Sequence, residues 1–201
     1  TVGDVLSFRI SLQTPGRIDT APTREEGLKR LFGLSVCPTP AIRVYSDMNA
    51  MVIKYVIEAK TGLSLFDAIQ TWILSPAGMP ETFAAVPKAL RGRCVCYNYE
   101  HRIEGERQIL RTSPPCGLPH DPKALLLSDS GRDLCGHAGL FSSRKDMVRF
   151  AQALLSGELI RRETLCEIGV NRTGFSHGDG TYRQYLGYLC FAKHPLQRLS
   201  E

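Results

Sequence analysis

The stretch from Asp47 to Gly62 constrains this chain more than any other. Its apolar residues are Met48, Met51, Val52, Tyr55, Val56 and Ala59, spaced i, i+3, i+4, i+7, i+8 and i+11. That spacing puts them on one face of an α-helix. A helix of this kind must bury its face, so the chain has to build a core around it. Ser46 or Asp47 is the expected N-cap. Thr61-Gly62 is the expected end, because glycine takes the left-handed cap without a Cβ penalty. Just before the helix stands Tyr45-Ser46-Asp47. A tyrosine two residues ahead of a short polar side chain at a helix start can place a phenol and a carboxylate in one pocket. By position alone, Tyr45 reads first as a buried aromatic leading into a helix.

The rest of the chain reads as mostly helical. Thr1-x-x-Asp4 is a capping box opening a short helix. Thr23 to Phe32 is predicted helical, with Glu25 and Glu26 in the first turn, where the helix dipole favours them. Further helices are predicted over Leu65 to Leu74, Arg144 to Ser156 and Arg161 to Ile168. Arg93 to Tyr99 and Gln184 to Ala192 are predicted strands, and Val86 to Leu90 is ambiguous. Cys37 to Pro40 is extended, because residues before proline are pushed away from the helical region. Glu104 to Pro119 reads as a long loop. His120-Asp121 ahead of Pro122 reads as a loop Asx-turn or a hydrogen-bonded pair.

Two segments imitate catalytic motifs. Ser142-Ser143-Arg144-Lys145 has a serine one helical turn before a lysine, the geometry that lets an amine take a hydroxyl proton. The better reading is a helix entry, with Ser143 and Asp146 as a capping pair before Met147, Phe150, Ala151, Leu154 and Leu155. Arg172-Thr173-Gly174 could present a cation beside a strand. Its Gly-rich surroundings favour a plain turn.

Composition excludes several classes. Apolar residues make up 43% of the 201, enough for an ordinary globular core. The net charge of +5 is spread over local arginine spots without aromatic interleaving or a basic helix face, which argues against nucleic-acid binding. No apolar run approaches the length of a membrane span. The seven cysteines are an odd number at irregular spacings, with no Cys-x-x-Cys. A metal set around Cys94, Cys96, His101 and His120 is conceivable, but buried reduced thiols are the better reading. Neither a metal nor a cofactor is expected. The thiols lean towards a reducing compartment.

Four segments in fixed order carry a family resemblance. They are Thr1 to Phe8; Tyr45 to Gly62 with Ser64-Leu65-Phe66 and Pro76-Ala77-Gly78-Met79; His120-Asp121-Pro122-Lys123-Ala124; and Gly136 to Ser143 leading into Asp146 to Ala151. Together they resemble the serine β-lactamase and penicillin-binding-protein superfamily, in its class C and esterase-like branch. The resemblance implies an α/β, β-lactamase/transpeptidase-like fold, of which this chain holds mostly the helical region and few sheet strands. It leans towards the cell envelope or secretion. That superfamily also uses a Ser-x-x-Lys nucleophile helix and a Lys/His-Thr/Ser-Gly strand. Neither has a credible match here, so the expectation is a partial domain over 1–201, truncated at both ends.

The resemblance implies a serine hydrolase that forms an acyl-enzyme on an ester, amide or β-lactam substrate. Tyr45 and Asp47 would be catalytic, and His137 and Gly139, in a turn that can bring backbone close to a pocket, would bind substrate; a helix-entry turn with an incidental histidine reads equally well. Tyr45 would relay the serine proton. Since free tyrosine titrates near pH ~10, it would need neighbouring cations. Asp47 stands where class C enzymes have asparagine. An ionised carboxylate only accepts hydrogen bonds, whereas an amide also donates, which favours esterase or peptidase relatives over a true β-lactamase. A noncatalytic penicillin-binding-like module for sensing or scaffolding is the alternative.

Overall fold

The computed structural model describes residues 1–37, 45–95, 100–104, 107–111, 116–128, 133–173 and 186–192. Among them the α-helices are α1 (Val2–Leu6), α2 (Arg24–Phe32), α3 (Asp47–Thr61), α4 (Leu65–Ile69), α5 (Pro122–Leu127), α6 (Arg144–Leu155) and α7 (Arg162–Ile168). Strands are few. β1 (Leu12–Gln13) pairs antiparallel with β2 (Ser35–Val36), and β3 (Glu100–Glu104) pairs antiparallel with β4 (Arg107–Arg111).

Local signals set the helix starts. The Thr1 and Asp4 side chains close a reciprocal capping box on α1. Thr23 Oγ1 accepts from Glu26 N at 3.2 Å, Ser46 Oγ from Met48 N at 3.3 Å, and Ser143 Oγ from Asp146 N at 3.2 Å. Each satisfies an N–H that the helix itself leaves unpaired. Gly62 ends α3 at φ +72°, donating its N–H to Glu58 O.

α3 is the four-turn helix expected after Tyr45, but its buried face differs from the predicted stripe. Met51 is fully buried, and Met48 and Tyr55 pack against the core, as expected. Val52 is only half-buried, and Val56 and Ala59 are exposed. Asn49 and Lys54 are buried instead. Both have partners from distant sequence, which is what makes burying a polar group tolerable. Asn49 Nδ2 donates to Val5 O at 2.7 Å. Lys54 Nζ lies 2.8 Å from Asp133 and 3.2 Å from Glu58.

The main core joins Ile18, Leu31, Met51, Ala124, Leu127 and Cys135, so α2, α3 and α5 meet at one centre. Burial pushes the Cys135 thiol up to about 12. A second cluster of Leu65, Ala84 and Leu134 seats α4.

Four further expectations are corrected. Lys88–Arg93 is a 3₁₀ turn, and Cys94 and Val95 are not strand; residues 96–99 of that prediction lie outside the described residues. The loop predicted from Glu104 contains β4, which a charged Arg-Gln-Ile-Leu-Arg run did not advertise. Pro122–Leu127 is a helix, with Asp121 as N-cap and proline in the first turn, where its missing N–H costs nothing. In the predicted strand at 184–192, the described part is a turn: Leu186 bridges Phe191, and Leu189 has φ 49°.

Among the thiols, Cys135 is buried and free, Cys166 is exposed, and Cys37, Cys94 and Cys190 are half-buried. Cys116 is disulfide-bonded. The reading of the cysteines as buried reduced thiols therefore fails at Cys116, which is bonded, and at Cys166, which is exposed.

Candidate active site

The start of α3 carries Tyr45 and Asp47 to the edge of a cleft of about 680 Å³, whose walls include Leu12, Thr14, Ile18, Met48 and Lys123. Tyr45 is held by aromatic packing from both ends of the chain. Its ring centroid lies 5.4 Å from Phe8 and 5.7 Å from Phe191, the latter stacked at 17°. Phe8 is 2% exposed and has φ 53°. A bulky residue with positive φ persists only where its surroundings over-determine it. Here the α1 end does so: Ser7 Oγ donates to Gly3 O at 2.6 Å, and Leu189 N donates to Leu6 O at 2.8 Å. The second contact also brings Phe191 to Tyr45.

The Asp47 carboxylate lies close enough to the Tyr45 phenol to help raise it above its ordinary value. It also pairs with Lys123, whose Nζ lies 3.0 Å from Asp47 Oδ2 and 3.4 Å from Asp121 Oδ2. Asp121 does three things at once. Its Oδ1 accepts from Ala124 N at 2.9 Å, capping α5. Its Oδ2 faces Lys123, and its Oδ1 lies 3.0 Å from His137 Nε2. The His137 contact is close but out of line for the N–H, and neither ring nitrogen makes an aligned hydrogen bond with the described residues. It is an electrostatic contact rather than a directed bond.

His137 reaches this place because of Gly136. At φ +104°, a Cβ on residue 136 would sit 2.8 Å from Ala50 O and 3.0 Å from Met51 Cα. The glycine lets the Gly-His-Ala-Gly turn lie directly on the α3 backbone, one turn past Asp47. Gly139 ends that turn against Leu134; no contact joins it to the Tyr45 cluster among the described residues.

These charges shift one another. Burial disfavours the ionised form of Asp121, but His137, the Ala124 N–H and Lys123 outweigh it and hold the carboxyl well below the usual carboxylate range. Burial works against the Lys123 ammonium, and the Asp47 and Asp121 carboxylates more than restore it, raising it above its ordinary value. Burial and the nearby Asp47 carboxylate raise the Tyr45 phenol, with Lys123 acting in the opposite direction. Asp47, Asp121 and His137 bring one ligand atom each within 4.8 Å of one another, and Lys123 supplies the positive charge between the two carboxylates.

Both motif imitations have structural jobs. Ser142 Oγ bonds Thr82 Oγ1 at 2.8 Å, and Ser143 caps α6. Asp146 does not complete the capping box. Its buried carboxylate accepts from Glu81 N at 2.7 Å and Thr82 Oγ1 at 2.9 Å, tying α6 to the segment after Met79. A separate cleft of about 490 Å³ contains Ser142, but Lys145 does not line it. Arg172 pairs with Glu167 at 2.7 Å and stacks 4.0 Å over Tyr188. Gly174 lies outside the described residues.

Sequence reading brought Tyr45, Asp47 and His137 forward, and all three lie in or next to one charge cluster. It missed Lys123 and Asp121 as members. The available signal was Asp121-Pro122, an N-cap followed by proline in the first turn, which would have put Lys123 on a helix start.

The chain matches the Beta-lactamase family over residues 1–197 and belongs to it. A putative D-alanyl-D-alanine carboxypeptidase of Salmonella paratyphi B is 31% identical over 119 residues, covering 57% of this chain and 27% of that protein. The chain thus spans about a quarter of the length of the curated relatives it matches. The D-amino acid amidase of Ochrobactrum anthropi SV3, solved with D-phenylalanine, superposes with TM-score 0.58 at 19% identity, over 93% of this chain and 53% of that one. A D-stereospecific amidohydrolase from Streptomyces gives 0.61 at 18%, over 94% and 55%. The fold is the β-lactamase/transpeptidase-like one, and what is present here is largely its helical region. The relatives support assignment to a family of serine hydrolases. No helix among the described residues is long and apolar enough to cross a membrane.

Proposed function

We propose that this chain is part of a serine hydrolase that cleaves an amide or ester bond next to a D-configured residue through an acyl-enzyme. Tyr45 relays the proton of a serine that lies outside residues 1–201, as does the third motif. The observation that carries this reading is the convergence of Tyr45, Asp47 and a lysine on one cleft. All three line that cleft, with Lys123 Nζ 3.0 Å from Asp47 Oδ2, and a phenol, a carboxylate and a cation are the parts a proton relay requires. The names of the relatives, a D-alanyl-D-alanine carboxypeptidase and two hydrolases of D-configured amides, favour amide and peptide substrates. The chemistry is acyl transfer. Serine Oγ attacks the carbonyl carbon, its proton passes to the leaving group by way of Tyr45, and water then hydrolyses the acyl-serine.

The test uses the complete protein. Tyr45→Phe should lower kcat on D-alanine p-nitroanilide by about 10²- to 10⁴-fold with KM little changed, the range for losing a general acid–base. Wild-type rates in that variant would remove the tyrosine from the mechanism. Residues 1–201 by themselves should hydrolyse neither nitrocefin nor p-nitrophenyl acetate above buffer. A covalent adduct on Ser142 would overturn that expectation.

A noncatalytic binding module is the second reading, favoured by one observation: burial and Asp47 raise the Tyr45 phenol, which suits a donor better than a base. Benzylpenicillin with mass spectrometry separates the two readings. A serine adduct on the complete protein supports the hydrolase. Saturable binding without an adduct supports the module.

A further inference from the structure

Asp47 poses a chemical problem that the cleft itself resolves. An asparagine at this place would offer an N–H to a substrate oxygen, and an ionised carboxylate cannot. Lys123 stands 3.0 Å from Asp47 and lines the same cleft as Tyr45. An ammonium has three N–H donors. Among the described residues, Asp121 Oδ2 accepts one of them at 3.4 Å, and Asp47 Oδ2 pairs with the ammonium at 3.0 Å. The side chain keeps 18% of its surface exposed, and Lys123 is part of the cleft lining. The third donor is thus available to an incoming oxygen.

The rest of the cluster fixes where that donor points. Asp121 is held by capping α5 and lies against the buried His137 imidazole, whose side chain is 4% exposed. Asp47 is fixed by its place in the first turn of α3. Two anchored carboxylates grip the ammonium from different elements, so the lysine loses little further freedom when it donates to a ligand. The charged side chains that line the cleft are two cations, Arg17 and Lys123, and two carboxylates, Asp19 and Asp47, with Arg17 bound to Asp19 at 2.6 Å. A cleft so compensated suits a neutral acyl group rather than a strongly charged one.

We propose that Lys123 is a substrate-binding residue. Its ammonium, held by Asp47 and Asp121, donates a hydrogen bond to the acylamino carbonyl oxygen of an N-acylated D-amino acid amide or peptide. The Asp47–Lys123 pair then does together what a single asparagine side chain would do alone. This rests on the hydrolase reading above for its substrate class, but the donor itself can be tested without turnover.

The experiment compares the wild-type complete protein with Lys123→Met, Lys123→Arg and the double variant Asp47→Asn/Lys123→Met. Substrates are N-acetyl-D-alanine p-nitroanilide, which has the acylamino carbonyl, and p-nitrophenyl acetate, which lacks it. In Lys123→Met, kcat/KM for the anilide should fall by about tenfold to a hundredfold more than for the acetate, the range for a hydrogen bond from a charged donor. Most of that loss should appear in KM. Lys123→Arg should recover part of the selectivity. The double variant should recover most of it, because asparagine restores a donor while no unpaired carboxylate is left behind. Equal losses on both substrates, or a double variant no better than Lys123→Met, would overturn the proposal.

If the wild-type protein turns over neither substrate, the hydrolase reading fails, and the donor is judged by calorimetric titration with N-acetyl-D-alanine amide. Wild-type binding that weakens tenfold or more in Lys123→Met and returns in the double variant sustains it. No binding to wild type, or equal binding to all variants, refutes it.

Discussion

Replacing Gly136 by alanine tests the step that brings the Gly-His-Ala-Gly turn to the site, and Gly139 supplies an internal control. Both residues have strongly positive φ, +104° and +116°. Alanine at either pays a backbone penalty of about 1–3 kcal/mol for occupying a region that essentially only glycine visits. The packing differs. At Gly139 the new Cβ meets only Leu134 Cδ2 at 3.4 Å, the end of a side chain that can shift. At Gly136 it meets Ala50 O at 2.8 Å and Met51 Cα at 3.0 Å, both backbone of a capped four-turn helix. That contact cannot relax without moving α3, and overpacking of this kind costs about 1–3 kcal/mol more. The expected losses are therefore about 2 kcal/mol for Gly139→Ala and about 4 kcal/mol for Gly136→Ala. With a urea m-value near 2 kcal/mol/M, the midpoints should fall by about 1 M and about 2 M. Equilibrium urea unfolding followed by far-UV circular dichroism measures both. Equal shifts would refute the reasoning, because they would mean that residue 136 is constrained by its backbone alone and that the turn does not rest on α3.

Further variants probe the two charge clusters, around Asp121 and around Asp133. Asp121 has a folded-state pKa below its unfolded value of about 3.9, so it contributes stability that is present above about pH 4 and lost as pH falls below that. Asp121→Asn keeps a good N-cap but removes the titration. Its urea midpoint should therefore vary less between pH 5 and pH 3 than that of the wild type, and parallel curves would show that Asp121 does not hold the cluster. Lys54 is 3% exposed and pairs with Asp133, which Arg24 also holds at 3.1 Å. Lys54→Met should cost about 2–3 kcal/mol, less than for a fully orphaned buried charge. Combining it with Arg24→Ala should cost more than the sum of the two, since Asp133 then loses both cations; simple additivity in denaturant titrations would argue against a shared network.

How much was legible depended on the range of each interaction. Helix starts at Thr1, Thr23, Ser46 and Ser143 were readable because a cap is a contact between residues two or three apart. The end of α3 at Gly62 was readable for the same reason. The helix at Pro122–Leu127 went unrecognised although its Asp-Pro start was in plain view, since six residues give too little periodicity to outweigh a turn signal. The β3–β4 ribbon was missed because its residues are mostly polar or charged, and its register comes from pairing rather than from an apolar pattern.

The chain's family, its largely helical character and the candidacy of Tyr45, Asp47 and His137 were all present in the order of its motifs. Those motifs are local, and their meaning survives without coordinates. The buried face of α3 was not determined this way: hydrophobic spacing cannot reveal that Val5 waits for Asn49 or that Asp133 waits for Lys54. Nor could sequence show that Phe8 and Phe191, at opposite ends of the chain, flank one tyrosine. The tertiary structure alone decided that a lysine 76 positions after Asp47 would neutralise it. Ion pairs depend on separations of a few ångströms, and only the packing of α2, α3 and α5 around a shared core brings those two charges that close.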